Sequence, residues 1–188
     1  MSFNKTIRTY DILIAFSILL FFAPIFTFIF IICLIESKKP IFVQKRVGKN
    51  QIPFNLIKFR TMKVNTPSLA SHLVHGESIT RFGRVIRSLK MDELPQLINV
   101  IKGDMSLVGP RPCLFNQLEL ISLREESNVF LVKPGITGLA QIKGIDMSNP
   151  KKLALTDAYM ISKYNQINYF KYLFLTLFGR GIGDKIKY

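Results

Sequence analysis

The sequence predicts a mainly helical α+β fold, in which an N-terminal membrane segment precedes a compact domain with a small β-hairpin and amphipathic, interfacial helices. Three observations lead to this fold class. The run from Ile12 to Ile35 contains no charged residue. Residues 42–59 favour two strands joined by a turn. Apolar residues then recur at helical spacing in later segments, at about 80–90, 93–101 and 151–165.

The composition combines high hydrophobicity with strong positive charge. Of the 188 residues, 48% are hydrophobic, and the net charge is +14. This apolar content excludes a disordered chain, and a chain of this length predicts one compact domain. The charge favours anionic partners, namely nucleic acid, phosphorylated small molecules or an acidic lipid surface. Two cysteines are too few for a disulfide framework, so a reducing compartment is favoured.

The uncharged run is predicted to enter the membrane. As a helix it would extend roughly 36 Å, which is enough to cross a hydrocarbon core. Bulky residues at 31–34 argue against a signal-peptide cleavage site, so the segment is expected to be retained. Pro24 favours a kink or break near the middle, and basic residues flank both ends. The residues leave two arrangements open: a re-entrant segment that bends at Pro24, and a single spanning helix with a tolerated proline.

The first elements after this run are predicted to be a β-hairpin and a short helix. Strands at 42–47 and 54–59 flank a Gly-Lys-Asn turn. Every charged residue from 38 to 63 is basic, which favours contact with anionic headgroups or with phosphates. Residues 63–79 are polar and irregular, and their two histidines receive no role. Thr80 is expected to cap a helix to about residue 90, whose predicted apolar face consists of Phe82, Val85, Ile86 and Leu89.

Further helices follow, separated by rigid loops. A helix from about Glu93 to Ile101 requires Pro95 in its first turn and ends at Gly103. Its predicted buried face consists of Leu94, Leu97, Ile98 and Ile101. Segments 109–112 and 134–138 are predicted to be loops rather than regular elements. A helix is expected at 151–165. The tail at 167–178 is apolar nearly all round and is too short to span, so it suits the headgroup level.

Two acidic features could carry chemistry. Asp92 and Glu93 are adjacent carboxylates at a predicted helix N-terminus, where a capping role is the simplest alternative. Asp157 interrupts an apolar helical stripe, so it must be paired, bound to a metal or shifted in pKa. A salt bridge between Asp157 and an arginine is as compatible with the pattern as a functional role. The sequence has no glycine-rich phosphate loop and no Gly-x-Ser-x-Gly motif.

Several motifs in a fixed order connect these features to a known family. They are Pro40–Gly48 followed by Lys58–Met62, Thr80–Arg84 with Arg87, Asp92–Pro112, and Lys133–Gln141. In this order the motifs closely resemble the bacterial sugar transferase family, the small monotopic phosphoglycosyl transferases that initiate glycan assembly. The resemblance extends from the membrane segment to about Tyr164. The motif from Asp92 to Pro112 is long and specific.

The resemblance implies a reaction. Members move a sugar 1-phosphate from a UDP-sugar onto polyprenyl (undecaprenyl) phosphate and release UMP, as the first membrane step of glycan assembly. It implies that Asp92 is the nucleophile, which forms a covalent aspartyl-phosphosugar intermediate, and that Asp92 also binds Mg²⁺. Glu93 would be the assisting carboxylate. The residues implied to bind substrate or its phosphates are Lys58, Arg60, Arg87, Arg111, Gln141 and Asp157.

The resemblance also implies a topology. Residues 1–36 would form a re-entrant membrane helix broken at Pro24, with both ends cytoplasmic. Residues 37–188 would form the catalytic domain on the cytoplasmic face of the bacterial inner membrane. The expected partners are a UDP-sugar, polyprenyl phosphate, anionic lipids and downstream glycosyltransferases. No nucleic acid is expected, because no recognition fold is apparent.

A competing hypothesis comes from a different functional class. In it, the chain is a non-catalytic module that binds anionic membrane lipids through its basic face. The pair Asp92 and Glu93 would then only cap a helix, and the arginines would contact headgroups.

Overall fold

The computed structural model describes residues 2–64, 66 and 78–178. Its described part is mainly helical with two small sheets, which confirms the predicted α+β class. Most of the predicted irregular segment, with His72 and His75, lies outside the described residues. In chain order the elements are α1 Ser2–Phe21, α2 Ala23–Ser37, β1 Ile41–Val47, β2 Pro53–Phe59, α3 Arg81–Ser88, α4 Gln96–Lys102, β3 Ser106–Val108, α5 Leu118–Glu126, β4 Gly135–Thr137, α6 Leu139–Ile142, α7 Pro150–Ser162 and α8 Gln166–Leu177.

The uncharged run folds as two helices that meet at a sharp bend. Pro24 lies in the first turn of α2, where its missing N–H is tolerated and its ring prevents α1 from continuing straight. Lys5–Phe21 and Ala23–Ser37 are bent by 67° relative to each other. Within the described ranges no single helix has the length and apolar character to cross a bilayer, whereas this bent pair has them together. The bend lies where the sequence predicts a break; the re-entrant topology stays a prediction.

The β-hairpin has the predicted position and pairing. Strands β1 and β2 are antiparallel, with register from Ile41 opposite Phe59 to Val47 opposite Pro53. The connection contains Asn50 and Gln51 in the left-handed region, at φ 52° and 60°. Asparagine tolerates this conformation better than most residues, which agrees with the predicted turn.

A second sheet corrects the prediction that 134–138 is only a loop. Strand β4 pairs in parallel with β3, with Ser106 opposite Gly135 and Val108 opposite Thr137. The two chains approach so closely that a Cβ on Gly135 would lie 2.0 Å from the backbone nitrogen of Gly109. Glycine is therefore required for the pairing. Three-residue parallel strands leave no alternating pattern in the sequence, so the sheet was missed.

Helix α3 begins as predicted, but its buried face is narrower. The Thr80 Oγ1 accepts a hydrogen bond from the Gly83 backbone nitrogen at 3.0 Å. Gly83 and Ile86 are the buried residues of this helix. Position 83 requires glycine, because a Cβ there would lie 2.4 Å from the Thr61 carbonyl oxygen. Val85 and Leu89, predicted to lie on the buried face, are 52% and 61% exposed.

Helix α4 begins at Gln96 with Pro95 as its N-cap, and not at Glu93 as predicted, because Met91–Glu93 form a separate 3₁₀ turn. It ends at Gly103, whose φ is 94°, as predicted. Its buried face is shifted relative to the prediction. Leu97 is buried as expected, but Ile98 is 39% exposed and the neighbouring Asn99 is buried. The cause is that Asn99 makes hydrogen bonds inside the protein, which are described with the site below.

The two C-terminal helices are capped by asparagines. Asn149 accepts from the Lys152 backbone nitrogen, and Asn165 accepts from that of Asn168. Helix α7 confirms the prediction at 151–165. The tail forms α8, which buries Tyr169 and Tyr172 on one side. Its other side exposes apolar side chains, namely Ile167, Phe170, Phe174 and Leu177.

The buried residues form three clusters. The central cluster contains residues of α1, β2, α4, β3, α7 and α8, namely Ile7, Ala15, Leu56, Leu97, Val100, Met105, Leu107, Val108, Met160, Tyr169 and Tyr172. A second cluster joins α5 to α6 and α7. The third packs α2 against β2 and α3 through Ile29, Cys33, Phe59 and Ile86. Through Ile7 and Ala15 in the central cluster, α1 packs against the rest of the chain. The division into 1–36 and 37–188 stays a prediction.

Two charged residues of α1 make hydrogen bonds to other elements of the protein. Arg8 donates to the carbonyl oxygens of Val100 and Ile101 at the end of α4, where a cation is favoured. Asp11 is 2% exposed and accepts hydrogen bonds on its Oδ1 from three donors. The donors are Ser106 Oγ at 2.9 Å, the Leu107 backbone nitrogen at 2.8 Å and Tyr169 Oη at 2.9 Å. These contacts fix α1 to α4, β3 and α8.

Candidate active site

The adjacent carboxylates lie on a short 3₁₀ turn, Met91–Glu93, between α3 and α4. Lys90 precedes the turn in the left-handed conformation, with φ 57°, which reverses the chain after α3. Met91 packs against the third cluster, which also contains Ile29 and Cys33 of α2. Asp92 is 7% exposed. The dyad, which is the pair Asp92 and Glu93, therefore lies on a turn that shares a buried cluster with the second helix of the bent pair.

Glu93 binds two cations. Its Oε1 lies 2.9 Å from Lys58 Nζ and 2.6 Å from Arg111 Nη2. The three side chains are only 14 to 22% exposed, so their attraction is weakly screened compared with a surface pair. Three sequence-predicted site residues, from β2, the 3₁₀ turn and the loop after β3, thus meet at one carboxylate oxygen. The predicted catalytic role of Glu93 remains untested by this arrangement.

Asn99 holds the strand that carries Lys58 against the helix that follows the dyad. Its Oδ1 accepts from the Ile57 backbone nitrogen at 3.0 Å, and its Nδ2 donates to the Asn55 carbonyl oxygen at 2.8 Å. Nδ2 also lies 3.1 Å from Asp104 Oδ2. Buried polar groups need such partners, which explains why Asn99 replaces an apolar residue on the inner face of α4. The sequence carries no signal for Asn99, because a polar residue next to an apolar helical stripe is typical of an exposed position.

The other predicted phosphate-binding arginines, Arg60 and Arg87, are bound to other groups. Arg87 Nη1 donates to Thr61 Oγ1 at 3.2 Å. Arg60 points towards the end of α2: its Nε donates to the Lys39 carbonyl oxygen at 2.9 Å, and its guanidinium lies over the Phe42 ring at 5.3 Å. The observed bonds of Arg60 support the connection between α2 and β1, and its predicted role in phosphate binding remains a prediction.

Lys90 was not recognised from the sequence. Burial lowers its pKa, and the nearby Glu93 carboxylate opposes this change while Arg111 adds to it. Lys90 therefore lies in the same electrostatic environment as Lys58 and Arg111. An excess of cations around Glu93 favours the binding of a further anion.

Asp157 is completely buried and paired with an arginine. Its Oδ2 accepts from Arg124 Nη2 at 2.7 Å and from Arg124 Nε at 3.1 Å. Burial raises the pKa of Asp157, and the Arg124 guanidinium opposes that change. The structure thus shows the salt bridge that the sequence left open as an alternative to a site role. Arg124 was missed, because a lone arginine beside two glutamates reads as part of a solvated helix face.

Gln141 lies on α6 and has a buried side-chain amide. Neither of its side-chain amide atoms has a hydrogen-bond partner within the described part of the chain, although both are buried. Its Oε1 packs against Gly138, where a Cβ would approach it to 2.9 Å. Buried amides are normally satisfied, so the position is compatible with the predicted substrate contact. That contact stays a prediction.

The Asp92 and Glu93 carboxylates are candidate ligands of the predicted Mg²⁺. Across residues 2–64, 66 and 78–178, no group of three or more His, Cys, Asp or Glu side chains could hold a metal ion. Mg²⁺ commonly uses one or two carboxylates together with substrate phosphates and water. Asp92 and its neighbour Glu93 fit that donor set, whereas they do not fit a cage made of protein ligands alone. The Mg²⁺ requirement remains a prediction.

Comparison with known proteins identifies relatives of this chain. Uncharacterized sugar transferase EpsL of Bacillus subtilis is 38% identical over 171 residues, which cover 90% of this chain and 84% of that protein. UDP-glucose:undecaprenyl-phosphate glucose-1-phosphate transferase of Caulobacter vibrioides is 38% identical over 143 residues, covering 73% and 54%. Undecaprenyl-phosphate galactose phosphotransferase of Salmonella typhimurium is 32% identical over 187 residues, covering 90% and 39%. The alignments therefore span only about half or less of the last two proteins.

A family model matches nearly the whole sequence. The family model described as bacterial sugar transferase matches residues 3–180, which include both helices of the bent pair and every predicted site residue. This chain belongs to the bacterial sugar transferase family.

Proposed function

We propose that this protein transfers a sugar 1-phosphate from a UDP-sugar to polyprenyl phosphate and releases UMP. The observation that carries the proposal is the carboxylate pair Asp92 and Glu93, with Glu93 bound to Lys58 and Arg111. Relatives of the chain are named for transfer of this kind to undecaprenyl phosphate. The sugars in these names are glucose and galactose, so the donor is proposed only as a UDP-hexose.

The chemistry assigned to Asp92 has two displacement steps. An oxygen of the ionised carboxylate attacks the phosphorus that bears the sugar, and the bond from that phosphorus to the bridging oxygen breaks, so UMP leaves. An oxygen of the lipid phosphate then attacks the same phosphorus and breaks its bond to Asp92. The product is a polyprenyl diphosphate sugar, and the carboxylate returns to its original form. Carboxylate nucleophiles that form aspartyl phosphates have this chemistry.

The cations around Glu93 suit the charge of these substrates. Lysine carries three donors and arginine five, which is more than the bonds from Lys58 and Arg111 to Glu93 use. Both side chains are partly exposed and can therefore contact a diphosphate. Glu93 holds the two cations at one point, which reduces the reorganisation needed when charge develops on the phosphoryl oxygens. Asp92, with Glu93 beside it, would hold Mg²⁺, which neutralises phosphate charge when bound.

We further propose that the bent pair of helices enters the cytoplasmic leaflet and returns to the same side. Apolar side chains of α1 and α2 face outward, namely Leu13, Phe16, Leu20, Phe21, Phe28 and Ile35. Such a continuous exposed apolar surface is unusual on a water-soluble monomer. The dyad turn shares the third cluster with α2, so the site would lie at the headgroup level, where a soluble UDP-sugar meets a lipid acceptor. Anionic lipids would contact the basic surface, and downstream glycosyltransferases would use the product.

The experiment is the comparison of Asp92→Asn with Asp146→Asn, a matched substitution of a loop carboxylate. Purified protein in nanodiscs is given a UDP-hexose and undecaprenyl phosphate, and UMP release is measured. Asparagine is a poor nucleophile, so Asp92→Asn is expected to lower the turnover at least about 10³-fold, while Asp146→Asn retains it. Full turnover in Asp92→Asn would refute its role. No release by wild-type protein with any UDP-hexose, despite binding to anionic vesicles, would favour the non-catalytic alternative.

A further inference from the structure

The loop that carries Arg111 is held through its backbone at every residue from 110 to 113. Each carbonyl oxygen of this loop accepts a hydrogen bond from a different residue elsewhere in the chain. The donors, in loop order, are Gly135 N at 2.9 Å, Arg124 Nη1 at 2.8 Å, Arg46 Nη1 at 3.1 Å and Val47 N at 3.0 Å. Pro110 and Pro112 further restrict the backbone. The Arg111 side chain therefore starts from a well-defined position.

One of these donors, Arg124, belongs to a buried ion pair. Its side chain is 2% exposed and that of Asp157 is 0% exposed. The Nε and Nη2 of Arg124 bind the same Asp157 oxygen, which leaves Nη1 directed at the Arg111 carbonyl oxygen. Three contacts thus connect Asp157 on α7 to Glu93: Asp157 to Arg124, Arg124 to the Arg111 backbone, and the Arg111 side chain to Glu93.

The geometry requires an arginine at this place. A planar guanidinium can donate in two fixed directions at once, whereas a lysine ammonium has one nitrogen. A buried ion pair contributes little net stability compared with apolar residues of similar volume, because desolvation of both charges opposes their attraction. The pair between Arg124 and Asp157 is therefore better explained by the orientation it imposes than by stabilisation of the fold.

We propose that Arg124 is a positioning residue for the Arg111–Glu93 contact, and that Asp157 acts by orienting Arg124 rather than by contacting substrate. The inference rests on the proposed function, in which Arg111 binds a phosphate. Displacement of a binding group by about 1 Å can lower a rate about 10²-fold. Arg124 lies outside the cluster around Glu93, and its bond to the Arg111 carbonyl oxygen connects it to that cluster.

The test removes the pair while preserving its volume. The double variant Arg124→Met with Asp157→Leu replaces two buried charges by apolar side chains, which is commonly compatible with folding. Its expected result is a Tm near that of wild type with kcat/KM for the UDP-hexose lowered at least about 10-fold. The control is Leu120→Val, a buried apolar change on the same helix, which is expected to lower Tm and leave kcat/KM unchanged. Wild-type kcat/KM in the double variant would overturn the inference.

A cycle with Arg111 separates positioning from general disruption. If Arg124 acts through Arg111, the double variant has no further effect on kcat/KM once Arg111→Ala has been introduced. Independent losses that multiply in the combined variant would contradict the proposal. Where the double variant fails to fold, Arg124→Lys, which keeps the charge beside Asp157, is used in the same cycle with the same expected outcomes.

A second readout needs no substrate. The Tm change caused by Glu93→Gln is measured in wild type and in the double variant. A smaller change in the double variant supports the inference, because the Arg111–Glu93 contact has already been weakened there; equal changes overturn it. Wild-type protein that releases no UMP would refute the proposed function, and this measurement would still decide the role of Arg124.

Discussion

Replacement of Asp11 by alanine is expected to destabilise the protein strongly, although Asp11 is remote in sequence from the dyad. Its Oδ1 accepts hydrogen bonds from Ser106, from the Leu107 backbone and from Tyr169. All of these partners are at most 5% exposed. In Asp11→Ala their donors remain buried without an acceptor, and α1 loses its polar connection to β3 and α8.

The magnitude follows from these donors. Each buried donor that is left unsatisfied costs about 1–3 kcal/mol. Because the three share one acceptor and can relax together, a total of about 3 kcal/mol is a conservative value. For a protein of 150–250 residues, 1 kcal/mol corresponds to about 2–4 °C in Tm, so a decrease of about 6–12 °C is expected. Asp11→Asn keeps an acceptor oxygen and should lose less than half of this.

The two cysteines provide the assay. Cys33 on α2 and Cys113 after β3 are both at most 1% exposed, so a thiol-reactive fluorophore reports their exposure on heating. Variants that retain one cysteine show whether α2 or the loop near Arg111 becomes accessible first. Thr9→Ala, an exposed change on the same helix, is the control and should shift Tm by less than 2 °C.

A Tm for Asp11→Ala within 2 °C of wild type would refute the reasoning, since the three hydrogen bonds would then contribute nothing measurable. An equal decrease in Asp11→Asn would show that charge, rather than the accepting oxygen, is what matters. An unchanged Tm in Asp11→Ala would also remove the support for a rigid connection between α1 and β3.

Two further predictions use the same purified protein and its membrane form. Lys5→Cys and Lys38→Cys should both react with an impermeant thiol reagent from the cytoplasmic side alone, if the bent helices are re-entrant; reaction from opposite sides would establish a spanning helix instead. Gly135→Ala should lower the stability by more than about 4 kcal/mol or prevent folding, because its Cβ would overlap backbone at 2.0 Å. Gly103→Ala, which meets only side-chain atoms at 3.5 Å, should lose only about 1–2 kcal/mol through left-handed strain. Equal thermal shifts for the two glycine variants would contradict the packing argument.

Features that depend on near neighbours were predictable from the residues. The hairpin, the Thr80 cap, the end of α4 at Gly103 and the bend near Pro24 all follow from local backbone preferences, and the structure confirms them. The position of the dyad just before a helix that follows a proline is also a local feature. Motif order then identified the family, which comparison over residues 3–180 supports.

The partners of individual side chains could not be predicted in this way. Arg8 is predicted only as part of the basic flank of the uncharged run, and Asp11 has no predicted role, yet both bind residues that lie more than 90 positions away. Asn99 and Arg124 carried no local signal, although each orients a part of the site. The parallel pairing of β3 with β4 depends on the approach of two glycines from separate segments. Sequence periodicity predicts which residues of one helix or strand are buried. The partner of a buried polar side chain depends on the tertiary structure, because that partner lies on an element that is distant in sequence.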